Sequence, residues 1–352
     1  GQAAALALAR AGHQIQVFER VPDPGPVGAG FLLQPTGLQA LWRLGLLEAA
    51  CALGAPVARL HGETAEGRAV MDMRYADLDP RLTGIGMQRG ALFALLHRAI
   101  AGEQGIALRS DCAIVELDCE AGRIRDAQGR WHGPYDLVVV ADGAASTLRA
   151  QVGDARIDRP YPWGALWCLL PEADWPWTCE LRQRYRLARE MAGLLPVGSM
   201  PGDPVRKLSF FWSLPVAGFD AWRAAGRDAW LHQLGALWPQ ARERLGGDFD
   251  VACLARAAYR DAIPQRWWRG RAVLLGDAAH AMSPQLGQGV NMALVDAVAL
   301  AAWLAVAPAL DAALHGYERE RRAHLAAYHR YSRCLIPLFQ SGSDGMSRLR
   351  DL

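Results

Sequence analysis

The residues best suited to chemistry lie in one stretch of this 352-residue chain, between Gly270 and Asp296. The apolar run from Ala272 to Leu275 predicts a short buried strand, which ends at Gly276 and Asp277. A glycine-rich loop follows, and the apolar segment from Asn291 to Leu304 predicts a buried helix. A carboxylate at a strand tip, followed by such a loop and a helix N-terminus, is suited to hold a polyol-phosphate cofactor.

The loop itself supplies the second half of this chemistry. Pro284 and Gly287 interrupt regular structure, and the predicted helix begins close to Gly289, Val290 and Asn291. The N–H groups of a first helical turn have no partner within the helix, so they can receive an anion or an electron-rich carbonyl group. We therefore expect these five residues to contact the same cofactor as the carboxylate.

From Gly276 onward the chain fills every fixed position of the pattern G-D-A-A-H-x-x-x-P-x-x-G-Q-G-x-N. This pattern resembles the second FAD signature of the p-hydroxybenzoate-hydroxylase-type (class A) FAD-dependent monooxygenases. The resemblance implies that Asp277 binds the ribityl chain and that the loop amides hold the pyrimidine edge of the isoalloxazine. The alternative is an ordinary strand-loop-helix in which small residues serve packing.

The start of the chain resembles the later half of a dinucleotide-binding βαβ unit. Gly1 opens a predicted helix that ends near Gly12, and a strand then closes on Glu19 and Arg20. In the family, Gly1 corresponds to the third glycine of G-x-G-x-x-G, and Glu19 to the acid that grips the adenosine ribose. The first strand and first two glycines are absent from this sequence, so we expect the natural protein to have residues before Gly1.

Three further positions carry the resemblance. Gly30 belongs to a segment that the family places beside the flavin ring, although a plain turn is the alternative. Arg89 opens a predicted helix where the family places an arginine near the FAD pyrophosphate, and a guanidinium suits phosphate oxygens; an exposed surface arginine is the alternative. Asp142 follows a buried run of valines and matches the family's D-G fingerprint, but Val140 stands where glycine is usual.

The order of these elements predicts an α/β fold with a Rossmann-like FAD-binding domain, a second domain of sheet and helix, and C-terminal helices. We assign residues 1–157 and 266–336 to the FAD-binding domain, 158–265 to a substrate-binding domain, and 337–352 to a C-terminal segment. The middle region is rich in tryptophan, and most of these rings are expected in its core. The arginine-rich segment 318–333 predicts a solvated helix face.

Composition excludes several classes of protein. A net charge of +2 argues against nucleic acid as a partner. Seven cysteines without a C-x-x-C pair favour reduced thiols in a cytoplasmic protein. The apolar run Val290–Leu310 contains Asn291, Asp296 and Pro308, which favours a core helix and no membrane partner. The histidines show no spacing that is typical of metal ligands, so we predict no metal. The oligomeric state, monomer or homodimer, remains open.

The resemblance implies an NAD(P)H-dependent FAD monooxygenase that hydroxylates or epoxidises an aromatic or otherwise electron-rich small molecule. In the family, NAD(P)H reduces FAD, O2 adds to give a C4a-hydroperoxide, and the distal oxygen passes to the substrate. A flavin-dependent reductase or dehydrogenase on the same fold, and a flavin-free accessory protein, are the alternatives. The sequence names no catalytic residue. The substrate pocket is expected between the Pro284 loop and the tryptophan-rich region, lined by at least one of Trp163, Trp167, Trp175, Trp177 and Trp212.

Overall fold

A computed structural model describes residues 1–25, 28–246 and 249–351. The strands, in chain order, are β1 (Ile15–Phe18), β2 (Gly30–Leu33), β3 (Ala55–Val57), β4 (Arg59–Thr64), β5 (Ala69–Arg74), β6 (Gly84–Gln88), β7 (Ile106–Arg109), β8 (Ile114–Asp118), β9 (Arg123–Asp126), β10 (Trp131–His132), β11 (Val138–Val140), β12 (Ala155–Pro171), β13 (Glu180–Arg186), β14 (Glu190–Met200), β15 (Asp203–Pro215), β16 (Ala255–Pro264), β17 (Trp268–Arg269) and β18 (Ala272–Leu274). The helices are α1 (Gln2–Arg10), α2 (Pro35–Arg43), α3 (Leu47–Leu53), α4 (Arg89–Ala101), α5 (Arg149–Val152), α6 (Phe219–Leu237), α7 (Pro239–Arg244), α8 (Asp277–His280), α9 (Gly289–Val306), α10 (Leu310–Phe339) and α11 (Asp344–Arg350).

The first layer holds two pairs of parallel strands with helices packed on them. Strand β1 pairs with β7, and β11 pairs with β18. Helices α1, α2 and α10 pack against the central helix α9, and the shared core includes Leu6, Leu41, Val273 and Leu300. Short parallel strands buried by helices are typical of nucleotide-binding α/β folds. The predicted α/β class with a Rossmann-like domain is therefore confirmed.

The second layer is a seven-stranded sheet in the order β16-β12-β15-β14-β13-β4-β5. Its strands pair antiparallel except for β13 and β4, which run parallel. Helix α6 covers one face, and its Trp230 packs edge-on against Phe210 and Trp212 of β15. Trp175 and Trp238 are buried in the same cluster. Most of these rings therefore serve the core, as the composition predicts.

Strands β4 and β5 come from the predicted FAD-binding segment 1–157, yet they extend the seven-stranded sheet through β13. The chain thus passes between the two layers more than once before residue 158. The C-terminal segment also contacts the sheet, because the backbone N–H of Ser341 donates to Ala188 O at 2.9 Å. The division into 1–157 with 266–336, 158–265 and 337–352 stays a prediction.

Helix α9 has the length and apolar composition that could cross a membrane. In this fold it is a core helix, since it packs between α1, α2 and α10. Its Asn291 and Asp296 are fully buried and have polar protein partners. The absence of a membrane partner and the cytoplasmic location stay predictions.

Candidate active site

The turn after β18 presents a carboxylate at the surface of the fold. Gly276 has φ of 62° and ψ of −138°, a conformation that favours glycine. Asp277 follows and is exposed, whereas Ala278 behind it is fully buried. Among the described residues the Asp277 carboxylate accepts no hydrogen bond. A Cβ atom added at Gly289 would lie 3.7 Å from Asp277 Oδ1, so the carboxylate stands beside the beginning of α9.

The loop before α9 is clamped by a buried amide. Gly287 has a left-handed φ of 61°, and Asn291 Nδ2 donates to its carbonyl at 3.2 Å. The same amide donates to Leu32 O at 3.0 Å, and its Oδ1 accepts from Gln34 N at 2.8 Å. The Asn291 side chain is therefore structural. The backbone N–H groups of residues 289–291 belong to the first helical turn and remain available to a ligand.

Asp142 follows β11, the strand that pairs in parallel with β18, so its loop lies beside the Asp277 turn. Its Oδ2 accepts from Thr147 N at 3.1 Å and Leu148 N at 3.4 Å. The carboxylate thus shapes its own loop. Contact with a cofactor at this position stays a prediction.

Arg149 joins these two loops, and we did not predict it as a site residue. It is 1% exposed, and its guanidinium donates to Ala278 O at 2.6 Å, Ala144 O at 2.9 Å and Asp277 O at 3.1 Å. It also donates to Gly143 O at 3.4 Å and pairs with Asp158 at 3.2 Å. A buried guanidinium so partnered fixes the relative position of the loops. The one signal in the sequence that could have pointed to Arg149 is its position seven residues after Asp142.

Gly1 and Glu19 lie on the same side as Asp277. The carboxylates of Asp277 and Glu19 both lie within electrostatic range of the Gly1 nitrogen. Glu19 Oε1 accepts from Val21 N at 3.0 Å. Arg20 is exposed and forms no hydrogen bond or ion pair among the described residues. The cofactor roles of these residues stay predictions.

Arg89 and Gly30 flank the junction between the layers. Arg89 begins α4 and is exposed, with its guanidinium carbon 5.9 Å from the centre of the Phe31 ring and no acidic partner among the described residues. Gly30 N donates to Ser209 Oγ at 3.1 Å. A Cβ atom at Gly30 would lie 2.5 Å from Val197 Cγ1. Gly30 therefore lets β2 approach the large sheet, and its contact with the flavin stays a prediction.

A buried charge cluster lies behind the Asp277 turn. Asp296 Oδ2 accepts from Gly276 N at 2.9 Å and lies 2.5 Å from His280 Nε2, while Oδ1 accepts from Arg321 Nε at 2.6 Å. Burial opposes ionisation of Asp296, but His280 and Arg321 outweigh it and hold its pKa below the usual range. The prediction that segment 318–333 is a solvated face is wrong for Arg321, which is 1% exposed.

A cavity of about 190 Å³ lies between the Pro284–Gly287 loop and the seven-stranded sheet. Trp167 lines it, whereas the other four tryptophans named above do not. A larger cleft of about 520 Å³ lies at α6 and α7 and shares no lining residue with it. The residues that line the smaller cavity are Gly30, Leu32, Gln34, Leu60, Met71, Gly164, Ala165, Trp167, Leu181, Gln183, Tyr185, Met191, Leu195, Phe211, Ser213, Tyr259, Pro284, Gln285, Leu286, Gly287, Phe339 and Gln340.

One further group of side chains has the composition of a metal site. Cys112, Asp126 and His132 place one potential ligand atom each within 4.8 Å of one another. Asp126 Oδ2 already accepts from Arg130 Nε at 2.9 Å, and Arg109 Nη1 lies 3.3 Å from His132 Nδ1. Guanidinium groups at both ends disfavour a cation between them. The predicted absence of a metal stays a prediction.

Residues 1–332 match the sequence pattern of a protein family whose description is "FAD binding domain". This chain belongs to that FAD-binding family. It is 30% identical to the aurachin C monooxygenase/isomerase of Stigmatella aurantiaca, over 90% of this chain and 81% of that protein. It is 31% identical to the kynurenine 3-monooxygenase of Salinispora arenicola, over 92% and 74% of the two chains. Klebsiella pneumoniae HpxO, solved with FAD and uric acid, shares the fold with a TM-score of 0.80 and 23% identity over 100% of this chain and 89% of that one.

These likenesses confirm the predicted class A membership, and the protein is an NAD(P)H-dependent FAD monooxygenase. They do not support the reductase or accessory alternatives. The residues present fit FAD, because the exposed carboxylate of Asp277 accepts no hydrogen bond among the described residues and stands beside the open N-terminal turn of α9. An acceptor for sugar hydroxyls next to donors for a carbonyl edge is the chemistry that a ribityl-isoalloxazine requires.

Proposed function

We propose that this monooxygenase hydroxylates an aromatic small molecule in the cavity between the Pro284–Gly287 loop and the seven-stranded sheet. One observation supports this placement above the others. Pro284 and Gly287 line the cavity, and they belong to the same loop whose amides are expected to hold the pyrimidine edge of the flavin. A substrate in this cavity therefore lies beside the reacting edge of the cofactor.

Each residue assigned to FAD contacts a different part of the cofactor. Asp277 binds ribityl hydroxyls, the N–H groups of Gly289 to Asn291 hold the pyrimidine edge, Arg89 binds the pyrophosphate and Glu19 binds the ribose. When bound, FAD accepts electrons from NAD(P)H and activates O2 so that one oxygen atom is transferred to the substrate. The protein has to hold the substrate ring beside the flavin and exclude water from both.

The lining suits this task. Trp167 and Phe211 lie with ring centres 5.0 Å apart, and most of the other lining side chains are aliphatic or aromatic. Trp167 Nε1 donates to Tyr259 Oη at 3.2 Å. Burial raises the pKa of Tyr259, so this phenol keeps its proton near neutral pH and can donate it in a hydrogen bond. Tyr259 is therefore suited to orient a substrate oxygen and unsuited to act as a base.

Trp167→Gln tests the placement. The variant should bind FAD as the wild type does, yet release several-fold more hydrogen peroxide per NAD(P)H consumed, because water reaches the flavin edge. Trp42→Gln is the matched control, since Trp42 is 65% exposed on α2 and does not line the cavity. FAD content, NAD(P)H oxidation and peroxide are measured with a proven substrate. Normal coupling in Trp167→Gln would place the substrate elsewhere.

A further inference from the structure

We infer that the cavity selects an uncharged aromatic substrate that is electron-rich without losing a proton. The inference rests on the proposed function, since it concerns what that cavity holds. Among the described residues that line it, none is Asp, Glu, Lys, Arg or His. A substrate carboxylate would be desolvated there without a charged partner, which is strongly unfavourable.

Strand alternation keeps the cations of β13 away from the cavity. Gln183 and Tyr185 line it, whereas Arg182 and Arg184 alternate with them and pair with Glu63 at 2.9 Å and 2.6 Å. Because successive side chains of a strand point to opposite faces, an arginine-rich strand still offers the cavity a neutral wall. The charge of this strand is used in ion pairs on the other face.

The polar groups that face the cavity are also neutral. Gln340 Oε1 accepts from Tyr161 Oη at 2.7 Å and from Gln285 Nε2 at 2.5 Å, and its Nε2 donates to Ser213 Oγ at 2.8 Å. These groups therefore largely satisfy one another. Gln183 differs, because the one contact of its amide is a weak one of 3.9 Å to a methionine sulfur. A neutral ligand edge that donates and accepts hydrogen bonds would satisfy this amide.

The lining also lacks a group that could remove a proton from the substrate. Its ionisable side chains are Tyr185 and Tyr259, and burial raises the pKa of both. A phenol that must ionise before it reacts therefore finds no base among the described lining residues. A ring activated by an uncharged nitrogen substituent, as in an arylamine or a quinolone, needs none.

Two cations lie near the cavity without lining it. The guanidinium carbon of Arg350 lies 5.2 Å from the centre of the Tyr185 ring and 5.4 Å from that of Phe339, but Arg350 pairs with Asp351 at 2.6 Å. The other cation is Arg89. It does not line the cavity, but its charge lowers the pKa of Tyr259 against the larger effect of burial, so it lies within electrostatic range. A carboxylated substrate that reached Arg89 would bind well. Comparison of charged and uncharged ligands therefore decides between the two possibilities.

The FAD-loaded wild-type protein is titrated with two matched pairs, and binding is followed by the change in flavin absorbance. The pairs are 4-quinolone with its 2-carboxylate, and aniline with 2-aminobenzoate. The uncharged member of each pair should bind at least about tenfold tighter, because it leaves no unpaired buried charge. Equal or tighter binding of the carboxylates overturns this inference and leaves the cavity as the substrate site. If no probe perturbs the flavin, the cavity placement and this inference both fail.

Gln183→Arg tests the inference in the opposite direction, because it adds a cation to the face of β13 that lines the cavity. It should shift the preference toward the carboxylate by at least about tenfold, whereas Gln183→Leu removes the amide without adding charge and should not. Met71→Lys on the outer strand β5 repeats the test should the first variant fold poorly. Bound FAD and circular dichroism establish folding. A folded, FAD-loaded variant with the wild-type preference overturns the inference.

Discussion

The two sides of the loop between Gly276 and Asn291 differ in whether they contain charged side chains. Behind the loop, Asp296, His280 and Arg321 form a cluster that is almost fully buried. In front of it, the described residues that line the cavity carry no charge. Buried charge is stable when every group has a partner. A cavity that binds and releases a substrate does not always hold such a partner. An uncharged lining therefore avoids the free-energy cost of an unpaired buried charge when the cavity is empty.

The buried cluster also explains how the loop can present an exposed carboxylate. Asp296 accepts from Gly276 N, and Arg149 donates to the carbonyl of Asp277. The backbone on both sides of the turn is therefore fixed by charged side chains from other elements. The Asp277 carboxylate itself accepts no hydrogen bond among the described residues, and it is the group that we propose binds FAD. Buried charge thus positions the backbone behind the loop, and in the proposed function the exposed charge of Asp277 recognises the cofactor at the loop tip.

Replacement of Arg321 by Met should give the largest effect, because it leaves the buried Asp296 without its guanidinium. We expect a loss of about 3–5 kcal/mol in the free energy of unfolding, measured by urea denaturation of the FAD-loaded protein. The double variant Asp296→Asn with Arg321→Met should recover part of the loss, since neither charge is then orphaned.

Arg319→Met is the control for this prediction. Arg319 is exposed on the same helix, so its replacement should change stability by no more than about 0.5 kcal/mol. Equal effects of Arg321→Met and Arg319→Met would show that the cluster contributes little, and the contrast between the two sides of the loop would lose its energetic basis.

The parts of the site that could be predicted from the sequence are those that lie close together along the chain. Gly276, Asp277 and Gly287 to Asn291 form one local unit, so their order and residue types indicate a strand, a loop and a helix. Arg149 and Arg321 could not be found in this way. Their burial depends on contacts with segments more than a hundred residues away, in the case of Arg149, or on the packing of α10 against α9.

A cavity lies where we predict the substrate pocket, but most of the residues that line it could not be named from the sequence. Its lining is drawn from positions between Gly30 and Gln340, and a parallel pairing of β13 with β4 brings two distant segments to one wall. Pairing between strands so far apart along the chain produces no periodic pattern in the sequence that would indicate it. The alternation of arginines with other residues in β13 is visible in the sequence. Which of the two faces of β13 points to the cavity depends on the positions of β14 and β4 beside it.

Replacement of Asp277 by Ala tests recognition at the loop tip. The loss of charge-assisted hydrogen bonds to the ribityl chain should weaken FAD binding by about 1.5–3 kcal/mol, roughly tenfold or more, as measured by fluorescence titration of the apoprotein. The free energy of unfolding of the FAD-free protein should change little, because the carboxylate accepts no hydrogen bond from the described residues. Asp136→Asn is the control, since its side chain is exposed and distant in sequence from the loop. Unchanged FAD affinity in Asp277→Ala would reject the placement of the cofactor.

The smallest expected effect comes from His329, which lies next to the charge cluster. Burial, helped by His280 and Arg333, lowers its pKa to about 4. The unfolded chain takes up a proton below about pH 6.5, so stability present above that pH is lost as the pH falls toward 4. Partial exposure limits the loss to about 1–2 kcal/mol. The unfolding energy of the wild type should therefore fall more between pH 7 and about 4.5 than that of His329→Gln, while the exposed-histidine variant His13→Gln keeps the wild-type slope. Parallel slopes for the wild type and His329→Gln would show that this histidine is solvated and does not belong to the buried surroundings of the charge cluster.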